Sequence, residues 1–145
     1  MAIERMSDAA AAYRLDDQVG FILRRANQRH LAIFAEHIPD LTPTQFAALA
    51  KLYELGPVSQ NHLGRETAMD AATIKGVIDR LEARTLVTTA PDPGDRRRLV
   101  VALSAEGMVL FEGLAALGLA ISAKTLEPLT RAEQRLFLAL LRKLA

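Results

Sequence analysis

Hydrophobic positions recur at helical spacing along most of the chain. Between residues 15 and 37, apolar or weakly polar side chains return in alternating steps of four and three residues, which predicts one face of a long helix. That face comprises Val19, Leu23, Ala26, His30, Ile33 and His37. Pro39 ends this helix, and a second helix is predicted to follow with Thr42 as its N-cap and Pro43 at its first position.

The middle of the chain predicts two short helices in close succession. Ser59 is expected to cap a helix that runs from residue 60 to about residue 67. Asp70 is expected to cap the next helix, which runs from residue 71 to about residue 84 and has apolar residues every three or four positions. Two short helices joined by a tight connection are typical of a helix-turn-helix unit.

A β-hairpin with a basic tip is predicted after these helices. A strand-like run at residues 86–90 and a β-branched run at residues 99–103 flank a turn that reads DPGDRRR. The turn ends in three consecutive arginines, Arg96, Arg97 and Arg98. On an extended strand alternate side chains face opposite sides, so we expect Arg96 and Arg98 on one face and Arg97 on the other. Such a tip is suited to contact a polyanion.

Apolar stripes also occupy both ends of the chain. Ser104 is expected to cap a long helical region after the hairpin, and Thr130 is expected to cap a final helix. A chain of 145 residues has little to cover these stripes by itself, so we expect a second copy to cover them in a two-fold dimer. The alternative is an ordinary helical core within one chain.

These elements predict a mainly α-helical fold with a small β-hairpin wing. The expected organisation is an N-terminal dimerisation helix at residues 1–38, a winged helix-turn-helix at residues 39–103 and C-terminal dimerisation helices at residues 104–145, intertwined as one domain. A winged helix-turn-helix usually reads two half-sites, which agrees with a dimer.

Composition narrows the range of functions. The chain has no cysteine, which excludes disulfides, thiolate metal sites and thiol redox sensing. It contains no run of 18 uncharged apolar residues, and its first residues have no long apolar core, so we expect no secretory signal and a cytoplasmic protein without a membrane partner. No cofactor is expected, and no Ser/His/Asp set, phosphate loop or metal motif indicates an enzyme. Because the formal net charge is only +1, binding to nucleic acid must rely on local clusters of positive charge.

The second short helix and the hairpin together predict a surface that reads double-stranded DNA. A recognition helix presents small or polar side chains near its N-terminus, so that its backbone can approach base edges in the major groove. The residues expected to meet base edges are Ala71, Ala72, Thr73 and Lys75. The residues expected to meet phosphates are Ser59, Gln60, Asn61 and Arg80. The residues expected to act in the wing are Arg96, Arg97 and Arg98, with Asp95 to orient an arginine in the minor groove.

Four stretches of the sequence carry a family resemblance. They read LTPTQFAALAKL, TIKGVIDRLEARTLV, DPGDRRRLVVAL and SAEG, and all four lie within residues 41–107. Together they resemble the MarR family of multiple antibiotic resistance regulators. The resemblance implies a homodimeric regulator, usually a repressor, that binds a pseudo-palindromic operator. It also implies that Arg97 enters the minor groove and that Asp95 is its acidic partner.

One position departs from the family pattern. Thr85 follows the recognition helix, where the family usually has glycine. Glycine suits a helix end in the left-handed conformation, in which a β-branched residue is strained. The angle of the wing is therefore the feature of the fold that the resemblance specifies least.

The resemblance further implies a small effector, often aromatic and anionic, that releases the DNA. The first long helix carries arginines that could attract a carboxylate and two histidines on its apolar seam. The candidate ligand-binding residues are Arg24, Arg25, Arg29, His30 and His37. We expect the ligand to be an aromatic carboxylate or its coenzyme A thioester. Two alternatives remain open: the histidines are hydrogen-bonded core residues, or they bind zinc together with Glu36.

A different functional class is a winged-helix module that binds another protein and no DNA. The wing discriminates between the two, because an interaction module has no need for three adjacent arginines at an exposed tip. We therefore favour a ligand-responsive, DNA-binding repressor.

Overall fold

The computed structural model describes residues 8–145 and has the predicted succession of helices around a small sheet. A helical segment at residues 8–12 and a 3₁₀ turn at Leu15–Asp17 come first. The helices that follow are α1 (Val19–His37), α2 (Pro43–Leu55), α3 (Gln60–Glu66), α4 (Ala71–Ala83), α5 (Ala105–Leu126) and α6 (Arg131–Lys143). The strands are β1 (Val58–Ser59), β2 (Val87–Pro91) and β3 (Leu99–Leu103). The mainly α-helical fold with a β-hairpin wing is therefore confirmed, and residues 1–7 of the predicted N-terminal helix lie outside the described residues.

The first long helix begins later than its apolar seam predicts. Gln18 has extended backbone angles, φ −87° and ψ 135°, and separates the 3₁₀ turn from α1. Local hydrogen bonds close that turn, from the amide of Asp17 to the carbonyl of Arg14 and from the amide of Gln18 to the carbonyl of Leu15. The prediction of a continuous helix from Leu15 is therefore wrong, because period alone does not detect a single extended residue.

Five predicted N-caps are confirmed by hydrogen bonds between side chains and helix amides. Thr42 caps α2, and Gln45 bonds back to its amide to complete a capping box. The other four caps are Ser59, Asp70, Ser104 and Thr130. Each cap satisfies an amide that a helix would otherwise leave unpaired.

The sheet has a third strand that the sequence pattern did not predict. Its order is β1-β3-β2, all antiparallel, and Val58 of β1 pairs with Val101 of β3. Val101 is completely buried at the centre of this sheet. β1 lies directly before α3, so the pairing fixes the base of the wing against the start of the helix-turn-helix.

The hydrophobic core joins the sheet to α2, α3 and α4. Its completely buried side chains include Leu49 from α2, Leu63 from α3 and Leu81 from α4. Ile33 and Phe34 of α1 extend the core towards the terminal helices. The core therefore supports the two short helices and the wing as one body.

Both helices of the helix-turn-helix end in a left-handed residue that is not glycine. Ala68 has φ 55° and Thr85 has φ 61°. Each ending has the hydrogen bonds of a Schellman motif: Met69 donates to Gly64, and Leu86 donates to Leu81. A non-glycine residue in this conformation costs about 1–2 kcal/mol. The strain foreseen at Thr85 is therefore present, and these backbone bonds hold the conformation.

The terminal helices leave apolar side chains exposed in a single chain. Val19 of α1 is 64 % exposed, Leu119 of α5 is 76 % exposed, and Leu136 and Leu140 of α6 are also exposed. Among residues 8–145, α5 is the one helix long and apolar enough to cross a membrane by length and composition. A single helix of this kind is weak evidence for a membrane segment, and α5 packs along α1 and α2 here.

Candidate nucleic-acid interface and ligand cleft

Helix α4 has one buried face and one exposed face, as expected of a recognition helix. Ile74, Val77, Ile78 and Leu81 are buried against the core. The predicted base-reading residues Ala71, Ala72, Thr73 and Lys75 lie on the exposed side, together with Arg80. Small side chains at the start of this face let a groove approach the helix backbone.

Charge on this face is partly compensated within the helix. The Nζ of Lys75 lies 2.8 Å from Oδ2 of Asp79, and this hydrogen bond raises the pKa of Lys75. At the N-terminus of the helix, the amide of Thr73 donates to Asp70 and lowers the pKa of that carboxyl group. Sequence reasoning missed Asp79, although its spacing of four residues from Lys75 is the signal of a helical ion pair.

The three arginines of the wing lie in a turn and not on a strand. Strand β3 begins only at Leu99, and the amide of Arg98 bonds to the carbonyl of Asp95 at 2.9 Å. The amide of Asp92 bonds to the carbonyl of Arg98, which closes the base of the turn. The strand alternation predicted for Arg96 to Arg98 is therefore wrong, because the hairpin loop includes all three arginines and ends only at Arg98.

Asp95 shapes this turn through its two carboxylate oxygens. Oδ1 accepts the backbone amide of Arg97 at 3.0 Å. Oδ2 lies 4.0 Å from Nε of Arg98. The carboxylate therefore fixes the backbone under Arg97 and is paired with the guanidinium of Arg98, which leaves the Arg97 guanidinium without an acidic partner among residues 8–145.

Two sets of residues predicted from distant parts of the sequence surround one small cavity. Ser59, Gln60 and Asn61 at the start of α3 line it from one side, and Arg97, Arg98 and Leu99 line it from the other. Its volume is about 100 Å³. Amides at a helix start and arginine side chains both favour a negatively charged group. The fold therefore places the phosphate-binding candidates of α3 beside the wing arginines, whereas Arg80 lies on the exposed face of α4.

A second cleft of about 380 Å³ lies between α1, α5 and α6. Its wall is mainly apolar and includes Leu23, Phe137 and Leu141. Polar groups enter it from Asn27, His30 and Ser122. A mainly apolar cleft of a few hundred cubic ångströms with a few polar groups is typical of a small-ligand site.

His30 has a defined hydrogen-bonding state in this cleft. Its Nδ1 lies 2.8 Å from the hydroxyl of Thr125, and that hydroxyl donates its hydrogen to the carbonyl of Ile121 at 2.9 Å. Because a hydroxyl has one hydrogen, Nδ1 of His30 must be the donor to Thr125. In the neutral ring, Nε2 is then an acceptor for a ligand, and in the protonated ring it is a charged donor.

The structure does not bring the other predicted ligand-binding residues to this cleft. Arg29 donates to the carbonyls of Thr125 and Lys124 and so caps the end of α5. Arg25 lies over the ring of Phe21, and Arg24 is exposed on α1. His37 bonds to the carbonyl of Ile33 in its own helix, which is the hydrogen-bonded alternative foreseen for the histidines.

The sequence did not predict the other polar residues of this cleft. Asn27 was detectable, because a residue three positions before His30 lies beside it on the helix surface. Ser122 and Thr125 gave no signal, since only the packing of α5 against α1 places them there. Within residues 8–145, no group of three or more His, Asp or Glu side chains is placed to hold a metal ion, so zinc binding by His30, His37 and Glu36 has no support.

The chain matches one protein family and is similar to several known proteins. The model of the MarR family matches residues 41–99. The chain is 43 % identical over 134 residues to the HTH-type transcriptional repressor NicR of Pseudomonas putida, covering 91 % of this chain and 85 % of that protein. A crystal structure of a probable transcriptional regulator from Pseudomonas aeruginosa superposes with a TM-score of 0.86 at 55 % identity, covering 91 % of this chain and all (100 %) of that one.

A third similar protein is BpsR of Bordetella bronchiseptica. Its structure is described with a mechanism by which 6-hydroxynicotinic acid regulates its DNA binding. It superposes with a TM-score of 0.88 at 42 % identity, covering 91 % of this chain and 96 % of that one. The first two of these proteins are described as a transcriptional repressor and a probable transcriptional regulator, and the third is described by its DNA binding, which favours a DNA-binding regulator over a module that only binds protein.

Proposed function

The chain belongs to the MarR family of transcriptional regulators, and from that membership we propose that it is a homodimeric repressor released from its operator by a small aromatic carboxylate. One observation carries the DNA-binding part. The start of α3 and the wing arginines converge on one cavity, while α4 exposes a face of small and polar side chains. A transcriptional regulator must reach chromosomal DNA, and this requirement supports a cytoplasmic location.

The exposed apolar faces of the terminal helices support the dimer. A groove lined by Val19, Ile22, Leu140 and Leu144 joins α1 to α6 and has almost entirely apolar walls. Exposed apolar patches of this kind are typical of protein interfaces. We infer that α1, α5 and α6 of a second copy cover these faces, so that the dimerisation segments are residues 1–38 and 104–145 and the reading head is residues 39–103.

The cleft at His30 supports the choice of effector. Its apolar wall suits an aromatic ring, and Nε2 of His30 and the side chains of Asn27 and Ser122 suit polar substituents. BpsR, a relative of similar fold, is described as regulated by 6-hydroxynicotinic acid. The volume of about 380 Å³ fits a single substituted ring better than a whole coenzyme A thioester, so we favour the free acid.

We expect operator binding to depend steeply on salt. DNA duplexes that the protein selects from a randomised pool should bind with an affinity that falls by about 10³–10⁵-fold between 50 and 200 mM salt, because six to ten phosphate contacts release counterions. The measurement is a titration by fluorescence anisotropy at several salt concentrations, with an unrelated duplex of equal length as the control. An affinity that does not change with salt would contradict the proposed function.

We expect His30→Phe to separate effector binding from DNA binding. The substitution keeps a ring but removes both nitrogens, so binding of 6-hydroxynicotinate should weaken by about 10- to 100-fold. Calorimetry measures this change, and the DNA titration shows whether the ligand still releases the operator. His37→Phe is the matched control on the same helix, because His37 bonds only within α1. Equal losses in the two variants would place the ligand elsewhere.

A further inference from the structure

We propose that Thr85 and Glu106 form a brace that sets the angle of the wing and thereby positions Arg97 for DNA binding. This inference rests on the proposed function as a DNA-binding regulator. Thr85 lies between the end of the recognition helix and the start of the wing: α4 ends at Ala83 and β2 begins at Val87. The backbone angles at this connection therefore determine the direction in which the hairpin leaves the helix.

The side chain of Thr85 makes contacts that glycine could not make. Its Oγ1 lies 2.6 Å from Oε2 of Glu106 and 2.6 Å from the carbonyl of Arg84, so one hydroxyl hydrogen is shared between two acceptors. The carbonyl of Thr85 accepts the hydroxyl of Ser104 at 2.6 Å. Glycine would keep only the backbone contact, so the threonine adds a direct link from the wing base to the first turn of α5.

A second link of the same kind lies in the same surface groove, which Glu82, Thr85, Thr89 and Glu106 line together. The hydroxyl of Thr89 in β2 donates to Oε2 of Glu82 in the last turn of α4. Thr89 thus ties strand β2 to the recognition helix, and Thr85, two residues before the strand, ties the connection to α5. Glycine at this helix end would keep the backbone bonds of the connection but lose the side-chain bond to Glu106, so the two carboxylates add restraint to that of the backbone.

The length of the wing makes this restriction matter for the arginines. A strand of five residues such as β2 extends about 16 Å, so a rotation of about 15° at its base would move the tip by about 4 Å. A shift of this size exceeds the tolerance of a hydrogen bond. The brace therefore acts on DNA through the position of Arg97 at the tip, and Thr85 and Glu106 are positioning residues that contact no base.

The test compares operator affinity in variants of Thr85 and Glu106. The probe is the duplex selected by the wild-type protein from a randomised pool. Thr85→Val keeps the branched shape but removes the hydroxyl, and we expect it to weaken binding by about fivefold or more. Glu106→Ala should have a similar effect, and the two together should weaken binding no more than either alone. Thr85→Ser should retain wild-type affinity, as should Thr88→Val, which makes the same change at an exposed position of β2.

A second comparison separates positioning from a merely structural role. If the brace acts through the wing arginine, Thr85→Val should cause no further loss of affinity in a protein that already carries Arg97→Ala. An additive loss in the double variant would overturn the proposal, and so would an affinity for Thr85→Val within twofold of wild type. If the wild-type protein selects no DNA, the proposed function itself fails and the brace fails with it. Denaturation curves for every variant show whether the protein is folded under the conditions of the titration.

Discussion

Replacing Gly107 by alanine should lower the free energy of unfolding by about 3 kcal/mol or more, because the site has no room for a methyl group. A Cβ atom at this position would lie 2.0 Å from the carbonyl oxygen of Leu86. That carbonyl is backbone, and it accepts the amide of Ser104 at 3.1 Å, so it cannot move away as a flexible side chain could. Relief of the clash would require α5 to separate from the base of the wing.

Gly76→Ala is the matched control for this expectation. Gly76 lies inside α4, where an added Cβ would find its nearest neighbour, Nη1 of Arg80, at an ordinary contact distance of 3.5 Å. The same substitution there should raise stability by about 0.5–1 kcal/mol, because alanine favours a helix interior. Urea denaturation followed by circular dichroism, at equal protein concentrations, measures both variants. Wild-type stability in Gly107→Ala would show that α5 can shift at little cost.

Replacing Arg97 by alanine should weaken operator binding by about 1–3 kcal/mol, which is about 5- to 150-fold in affinity. Arg97 combines two features: its backbone is held by Asp95, and its side chain lines the cavity beside Ser59 and Asn61. Its guanidinium has no acidic partner among the described residues, so it is available to DNA, whereas Arg98 lies near Asp95.

Two control variants test whether this loss of operator affinity is specific to Arg97. Arg131→Ala removes the same charge from the exposed start of α6, away from the wing, and should leave operator affinity nearly unchanged. Arg96→Ala should weaken binding less than Arg97→Ala, because Arg96 does not line the cavity. Anisotropy titration gives the affinities, and analytical ultracentrifugation shows that the oligomeric state is intact. Equal affinity of Arg97→Ala and wild type would reduce Arg97 to a solvated surface charge.

Much of the reading head was predictable because its signals are local. The caps at Thr42, Ser59 and Asp70 follow from side chains that reach amides three residues away. The buried face of α4 follows from a period of three to four residues, and the hairpin follows from a turn between two β-branched runs. The sequence predicted the candidate DNA-contacting residues one by one. It did not predict that Asn61 and Arg97 line the same cavity.

The ligand cleft was predicted less well because its signals are not local. His30 was identified from its unusual place on an apolar seam. Its partner Thr125 is 95 residues away in the sequence, and Arg29, expected to bind a ligand, instead caps the helix that contains Thr125. The negative end of a helix attracts a cationic side chain, as a carboxylate ligand does, and the sequence does not distinguish between these two partners.

The sequence by itself determined the order of the helices, their caps, the buried face of α4 and the basic wing, since each depends on contacts within a few residues. The tertiary structure alone decided the rest. It paired the two-residue strand β1 with β3, placed the wing arginines in a turn, and formed the hydrogen bond between Thr85 and Glu106. These features depend on contacts between chain segments that are far apart in the sequence and come together only when the core packs. A local pattern of hydrophobic and polar residues does not specify such contacts.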